Sequence, residues 1–152
     1  MHKFAPLAAV VAALALAGCG GGDDESNQAL SYDAFGAAAG EVCQDVSGTI
    51  DPLQSQFTGD VKKDAAIFDD LIPALQSGTD DLAALEPPEE LQSTFDDYLA
   101  KIEEQEAGAI DAQKAAEAGD QEEYIRILET VDQISTESDL DASKLGATGC
   151  ID

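Results

Sequence analysis

Three cysteines carry the most reactive side chains in this sequence. Cys19 follows an apolar N-terminal run, Cys43 lies in a region rich in alanine, and Cys150 stands near the C-terminus. A thiolate is a strong nucleophile and a metal ligand, and two thiols can also join as a disulfide. Histidine, the usual partner of a catalytic cysteine or serine, occurs only as His2. The chemistry of the chain therefore depends mainly on these three sulfurs.

The segment that precedes Cys19 has the features of an export signal. Lys3 is followed by an uncharged apolar run at 4–17, about fourteen residues, whereas a membrane-spanning helix needs roughly 20. Leu16-Ala17-Gly18-Cys19 resembles the lipobox of bacterial lipoproteins at all four positions. The resemblance implies that residues 1–18 are a cleaved signal peptide and that Cys19 carries a diacylglyceryl group. The alternative is an ordinary secretory signal beside a chance cysteine.

Lipidation would place the protein at the cell membrane, on its extracytoplasmic face. Two acyl chains give a stable anchor, because each buried methylene contributes about 0.8 kcal/mol. After Cys19, residues 20–28 are glycine-rich, then acidic and polar, which is typical of a flexible tether. Nine residues of this kind span roughly 15–18 Å. We therefore expect a lipidated cysteine and tether at 19–29 and one folded domain at 30–152.

Acidic residues dominate the composition. The chain has 32 acidic and 7 basic residues, and its formal net charge is −25. Such a surface repels nucleic acids and anionic lipid headgroups, so no nucleic-acid partner is expected. The charge is typical of a well-solvated surface, and it would also attract a basic partner or cations.

The other two cysteines are expected to pair. If Cys19 is acylated, Cys43 and Cys150 remain, and compartments outside the cytoplasm permit disulfides. The bridge would close a loop of about 108 residues, for which the chain-entropy model gives up to roughly 4.7 kcal/mol. Two free thiols and a redox role are the alternatives that the sequence leaves open.

The first two helices are predicted from apolar residues at steps of three and four. In the first helix, which begins near Ser31, these are Phe35, Ala39, Val42, Val46 and Ile50. In the second, which begins after Asp60, they are Val61, Ala65, Phe68, Ile72 and Leu75. Gly48 and Pro52 leave the end of the first helix uncertain, and Pro73 predicts a kink near residue 70.

Two further helices follow the helix stop at Glu86-Pro87-Pro88. The third carries Leu91, Phe95, Tyr98, Ile102, Ala109, Ala112 and Ala116, and it ends at Gly119. The fourth carries Tyr124, Ile127, Leu128, Val131 and Ile134, with a weak stretch at 135–138 and a stop at Gly146. No segment alternates like a strand. We therefore predict an all-α fold, an up-down bundle of about four helices with one disulfide.

Few of the remaining residues suggest chemistry, and we expect no cofactor, no metal and no enzymatic activity. Five pairs of adjacent acids are expected on the solvated outer face, because neighbours on a helix point about 100° apart: Asp69-Asp70, Asp80-Asp81, Asp96-Asp97, Glu103-Glu104 and Glu122-Glu123. Arg126 is expected to form surface ion pairs. Tyr98 and Tyr124 are expected at the rim of the core with hydrated hydroxyls. The segment 139–144 lacks the glycine and the final glutamate of a calcium loop.

Several segments resemble small acidic helical lipoproteins of high-GC actinobacteria. They are Leu85-Glu86-Pro87-Pro88-Glu89-Glu90-Leu91, Ala118-Gly119-Asp120 and the tail Leu145-Gly146-Ala147-Thr148-Gly149-Cys150. These motifs are helix stops, caps and a terminal cysteine. The resemblance implies a helical envelope protein without assigned activity, and it transfers no functional residue.

Three functions are compatible with this sequence. The first is a non-enzymatic interaction module that binds a protein of the cell envelope. The second is a binder of a small ligand or cation, with a pocket between helices near Pro73. The third is a hydrolase that uses only carboxylates.

Overall fold

The computed structural model describes residues 30–151. The predicted signal peptide, Cys19 and the tether at 19–29 lie outside the described residues. Five α-helices occur in this range: α1 (Tyr32–Gln54), α2 (Val61–Asp64), α3 (Phe68–Ala83), α4 (Gln92–Ala118) and α5 (Gln121–Leu145). Helix α2 leads through a 3-10 turn into α3, and these two helices together count as one segment. The five helices therefore form four long helical segments. Residues 30–151 contain no strand, so the prediction of an all-α bundle of about four helices is confirmed.

Helix α1 begins where the sequence predicted. Ser31 is the N-cap, and its hydroxyl accepts a hydrogen bond from the backbone N–H of Ala34 at 3.4 Å. The helix continues through Gly48 and includes Pro52, which stands in its last turn. Phe35 and Ala39 are fully buried, as the apolar pattern predicts.

The second helical segment consists of two α-helices joined by a 3-10 turn. Asp60 caps α2 by accepting from the backbone N–H of Lys62 at 3.2 Å. A 3-10 turn at Ala65–Ile67 then joins α2 to α3, whereas Pro73, from which a kink near residue 70 was predicted, lies inside α3. Gly78 lies inside α3, and a Cβ atom at this position would lie 2.5 Å from a methyl carbon of Val46. This glycine lets α1 and α3 pack closely.

Helices α4 and α5 are more regular than their glycine and serine content predicted. Gly108 does not interrupt α4, and residues 135–138 do not weaken α5. The predicted weak stretch was therefore wrong, because tertiary packing of Ser138 against α4 outweighs its low helix propensity. Gly119 and Gly146 end the two helices in the left-handed conformation, both with φ 72°.

The four segments alternate in direction, as an up-down bundle requires. The start of α1 lies beside the end of α5, where a Cβ atom on Gly36 would stand 2.7 Å from the Gly146 carbonyl oxygen. At the opposite end, the Gln121 side chain at the start of α5 donates to the Gly59 carbonyl at 3.4 Å. The Gly36–Gly146 contact therefore holds α1 close to α5 at one end of their interface.

The core consists of two clusters, one toward each end of the bundle. The cluster beside the α1–α5 contact contains Phe35, Leu82, Phe95, Tyr98 and Leu145. The cluster at the other end contains Ile50, Phe68, Leu71, Tyr124 and several alanines of α4. A space remains between the two clusters, lined by residues of both, among them Ile50 and Tyr98, and by the polar Ser47 and Thr79.

The predicted disulfide joins Cys43 of α1 to Cys150, with 5.0 Å between their Cα atoms. Cys150 ends a short 3-10 turn at Thr148–Cys150 that follows α5. Close approach of the tail to α1 requires glycine at position 149, because a Cβ atom there would lie 2.9 Å from the Gly40 carbonyl carbon. The bridge therefore fastens the C-terminal tail across α1.

Candidate functional site

The predicted surface features lie where the sequence placed them. The paired acids of α3, α4 and α5 are exposed, except that Glu123 is partly covered. Arg126 pairs with Glu123 at 2.6 Å, and both side chains are largely exposed, so the predicted surface ion pair is confirmed. Residues 139–144 belong to α5 rather than to a loop. These groups do not converge on a common point.

A cavity of about 330 Å³ lies between α3, α4, α5 and the end of α1. Most of its wall is apolar, formed by Phe57, Phe68, Leu71, Leu75, Ala109 and Val131. We call this space the first cavity. Its volume falls within the range of roughly 300–1,000 Å³ that is usual for small-molecule sites. Leu71 and Leu75 flank Pro73 in the sequence, whereas Pro73 itself is not among the lining residues.

The shape of the bundle explains why the first cavity exists. The Gly36–Gly146 contact holds α1 against α5 at one end of the seam. Toward the other end, Gln54 of α1 and Leu128 of α5 line the same cavity. Ala109 supplies a small side chain where a leucine would fill the space. Leu128, predicted in the buried stripe, is 38% exposed beside the opening.

A buried carboxylate and a buried phenol stand at one wall of the first cavity. Asp64 is 0% exposed and accepts hydrogen bonds from the Thr58 N–H, the Thr58 hydroxyl and the Gly59 N–H, each at 2.9 Å. Tyr124 donates its hydroxyl proton to the same carboxylate at 3.4 Å. Four donors match the roughly four lone-pair directions of a carboxylate. Asp64 therefore acts mainly as a clamp on the connection between α1 and α2.

The prediction of hydrated tyrosine hydroxyls was wrong. Tyr98 is 2% exposed and Tyr124 is 1% exposed. Burial, together with the nearby charge of Asp64, raises the pKa of Tyr124 to about 12. The Tyr98 hydroxyl lies 3.6 Å from the Cys43 sulfur. Both phenols sit inside the bundle because internal polar partners replace the water that was expected at the rim.

A second cavity, of about 160 Å³, adjoins the first. It lies between α1, α3 and α4, and its wall includes both disulfide cysteines. Gln54, Leu75 and Gln105 line both cavities. Compared with the first cavity, its lining is richer in polar side chains, namely Ser47, Asp51, Thr79, Tyr98 and the two glutamines.

Gln105 holds a central position between the two core clusters. Its Nε2 atom donates to the Ser138 hydroxyl at 3.0 Å, which links α4 to α5 inside the bundle. The Ser138 hydroxyl in turn donates to the Ser135 carbonyl at 2.8 Å. The amide of Gln105 is thus held in place where it lines both cavities.

A second buried carboxylate belongs to an ion-pair network between α4 and α5. Asp141 is 6% exposed and accepts from Lys101 at 2.8 Å and from Lys144 at 2.7 Å. Burial alone would raise the pKa of Asp141, but the hydrogen bonds from the two lysines outweigh it and lower the pKa below its ordinary value. The hydrogen bond to Asp141 raises the pKa of Lys101. A carboxylate with a lowered pKa is a poor general acid or base near neutral pH.

Exposed apolar side chains are spread along the described residues. The large ones are Tyr32, Ile125, Leu128, Leu140 and Ile151.

Within 30–151, no group of three or more potential metal-binding side chains is found. In the same part of the chain, no helix has both the length and the apolar character that crossing a bilayer requires.

The fold and site together define a disulfide-closed helical bundle with two adjoining internal cavities. Comparison with known proteins finds no matching family model, no matching curated protein and no matching solved structure. The interpretation of the site therefore depends on its geometry and chemistry.

Sequence reasoning missed Asp64 and Gln105 as residues of a site, although a signal for both was present. Asp64 falls in step with Val61 and Phe68 on the apolar face of its segment. Gln105 falls in step with Ile102 and Ala109 on the apolar seam of α4. A polar residue in phase with a buried stripe indicates an internal hydrogen bond or a cavity.

Proposed function

We propose that this chain is a lipid-anchored extracytoplasmic protein that binds a small, largely apolar molecule inside its helical bundle without catalysing a reaction. The observation that carries this proposal is the first cavity, with its apolar wall and about 330 Å³ of space. Sites of this kind combine an apolar lining with a few fixed polar groups. Gln105 and Tyr124 supply such groups here.

The charged groups of the interior support binding rather than catalysis. Asp64 is already engaged by four donors, and Asp141 is engaged by two lysines. A hydrolase that uses only carboxylates needs two facing acids, one of which keeps a raised pKa. The two carboxylates instead bond to different partners, and both serve to hold the bundle together.

Ligand binding can be tested with aminoanthracene, an uncharged dye that fluoresces in apolar sites. We expect saturable fluorescence with the wild-type bundle, and at least about tenfold weaker binding for Ala109→Leu, because the larger side chain occupies the cavity. Ala100→Leu is the matched control, since Ala100 is exposed on the same helix. Should Ala109→Leu fail to fold, Leu128→Trp would obstruct the opening from an exposed position. Equal binding by wild type and a folded cavity variant would overturn the proposal.

The membrane anchor rests on the lipobox resemblance of Leu16-Ala17-Gly18-Cys19 and can be tested separately. In cells fed labelled palmitate, the wild-type chain should incorporate the label and sediment with membranes. Cys19→Ala should lose the label and leave the membrane fraction, because the anchor needs the thiol. A Cys19→Ala variant that sediments like the wild type would argue against lipid anchoring.

A second candidate function is recognition of a protein of the cell envelope. Ile125 and Leu128 are 47% and 38% exposed and lie one turn apart on α5. Apolar side chains in such a position can contact a partner. Crosslinking in intact cells should then yield a product that Ile125→Glu abolishes and that Leu140→Glu, on a distant turn, preserves. The same products from all three chains would exclude this surface.

A further inference from the structure

The two cavities are neighbours that share part of their lining. Gln54, Leu75 and Gln105 line both of them, so a molecule that occupied both cavities would pass beside these three side chains. Together the two cavities extend from the cluster around Phe68 to the disulfide between Cys43 and Cys150. An elongated ligand would therefore lie between the helices and contact all four helical segments.

The two ends of this site differ in polarity. The first cavity is lined mainly by aliphatic and aromatic side chains. The second cavity presents the hydroxyls of Ser47 and Thr79, and the carboxylate of exposed Asp51 stands at its edge. Hydrocarbon favours the first environment, and a group with several hydroxyls favours the second.

The charge of the lining selects against an anion. Asp51 and Asp64 are the charged side chains among the lining residues of the two cavities, and both are acidic. No lysine or arginine lines either space within 30–151. An anionic headgroup would therefore meet negative charge without a cationic partner.

The volumes indicate the size of the ligand. An apolar cavity of about 150 Å³ accommodates benzene, which has six carbon atoms. By this measure, the second cavity of about 160 Å³ holds a headgroup of about six heavy atoms, such as a glyceryl group. The first cavity of about 330 Å³ holds a chain of about twelve carbons.

We propose that the two cavities open into each other beside Gln54, Leu75 and Gln105 and together bind an uncharged amphiphile, with its hydrocarbon chain in the first cavity and a polyol headgroup in the second. This inference rests on the proposed function, because it assigns a ligand class to the same site. A single-chain acylglycerol has the required chemistry. Its chain would displace water from the apolar wall, and its hydroxyls would bond to the Ser47 hydroxyl and the Gln54 amide. Thr79 and Gln105 would act as acceptors, because Thr79 Oγ1 already donates to the Leu75 carbonyl and Gln105 Nε2 to the Ser138 hydroxyl, each at 3.0 Å.

The test compares four amphiphiles that share a twelve-carbon chain: glycerol monolaurate, dodecanol, dodecylamine and laurate. Each displaces aminoanthracene from the secreted chain 20–152, which contains both core clusters and the disulfide but lacks the lipid anchor. We expect glycerol monolaurate to bind at least about tenfold more tightly than laurate and more tightly than dodecanol. Tightest binding by laurate or by dodecylamine would overturn the assignment of an uncharged headgroup.

Two variants separate the headgroup assignment from simple hydrophobic binding. Ser47→Leu fills the second cavity and should weaken glycerol monolaurate about tenfold, while dodecanol changes by less than about twofold. Thr79→Val removes a hydroxyl from the same wall and should act in the same direction if Ser47→Leu fails to fold. Thr49→Leu is the control for Ser47→Leu, because Thr49 is exposed on the same helix, α1.

The outcomes distinguish the two proposals. If neither the dye nor any of the four amphiphiles binds to the chain, the proposed function fails. Suppose that dodecanol and glycerol monolaurate bind with equal affinity and that Ser47→Leu changes the two affinities by the same factor. The cavity then binds apolar molecules, but the assignment of a headgroup site is wrong. If Ser47→Leu weakens the binding of glycerol monolaurate but not that of dodecanol, the result supports both the proposed function and the headgroup assignment.

Discussion

Asp64 shows how one buried side chain can organise the connection between two helices. Its carboxylate gathers three donors from Thr58 and Gly59, although it is itself 0% exposed. A buried charge is costly unless hydrogen bonds compensate for it, and here the compensation comes from the chain segment just before α2. The same carboxylate therefore fixes one wall of the first cavity.

Removal of this clamp should destabilise the protein. For Asp64→Ala we expect a loss of about 2–4 kcal/mol in the free energy of unfolding, because three loop donors lose their acceptor in a buried site. Asp80→Ala, at an exposed position of α3, should change stability by less than about 0.5 kcal/mol. Urea denaturation of both variants measures the difference. Similar small effects in the two would show that water replaces the carboxylate.

Tyr124 should give the protein a distinct response to alkaline pH. Its folded pKa of about 12 lies above the ordinary value of 10.0, so the unfolded chain loses the phenolic proton first. The contribution of this group is fully present below pH 10 and is lost as pH rises toward 12, by roughly 2–3 kcal/mol at most.

The Tyr124→Phe variant isolates this contribution. The stability of wild type relative to Tyr124→Phe should fall between pH 10 and 12, and the near-ultraviolet titration of wild type should contain one late tyrosine step that the variant lacks. A constant stability difference across this pH range would contradict the raised pKa of the buried Tyr124.

At the level of the helices, glycine positions decide how closely the segments approach. Gly36 contacts the backbone of Gly146, whereas a Cβ atom on Gly48 of the same helix would meet nothing within 4 Å. The two glycines therefore make a matched pair within α1. One is required by packing, and the other only lowers helix propensity.

Alanine substitution should affect these two glycines in opposite directions. Gly36→Ala should destabilise the bundle by roughly 1–3 kcal/mol, because the methyl group would lie 2.7 Å from a backbone oxygen that cannot rotate away. Gly48→Ala should stabilise it by up to about 1 kcal/mol through helix propensity. Thermal unfolding of both variants provides the comparison. Stabilisation by Gly36→Ala would mean that the seam between α1 and α5 is loose.

The helices were predictable from the sequence because their apolar residues keep a helical period and their ends carry recognisable caps. Ser31, Asp60 and Asp120 accept hydrogen bonds from the first turns of their helices, and Gly119 and Gly146 end theirs. The apolar period, however, does not report how tightly two seams meet. It therefore placed Leu128 in the core, where the opening of the cavity leaves it exposed.

The site was less predictable than the helices for a physical reason. A cavity is defined by what several helices leave unfilled, and that depends on their spacing rather than on any one motif. Gln105 and Ser138 interrupt the apolar seams of α4 and α5, and the structure brings them together at 3.0 Å. Each alone is an isolated polar residue. Only their pairing shows that the middle of the bundle is polar.

For the molecule as a whole, the C-terminal tail and the disulfide complete the bundle. The tail crosses α1 beside Gly40, and Cys150 fastens it to Cys43. The bridge also forms part of the wall of the second cavity. Global stability and the shape of the proposed headgroup site therefore depend on the same covalent link.

Loss of the disulfide should lower the stability of the whole bundle. For the double variant Cys43→Ala/Cys150→Ala we expect a decrease of up to about 4.7 kcal/mol, because the unfolded chain regains the entropy of a long open loop. The denaturant dependence should also steepen, since a less constrained unfolded chain exposes more surface. Urea unfolding of the double variant and of reduced wild type should agree, with oxidised wild type as the reference. If all three proteins unfold at the same urea concentration, the disulfide does not stabilise the bundle. The noncovalent contacts of the tail with α1 would then hold the tail in place.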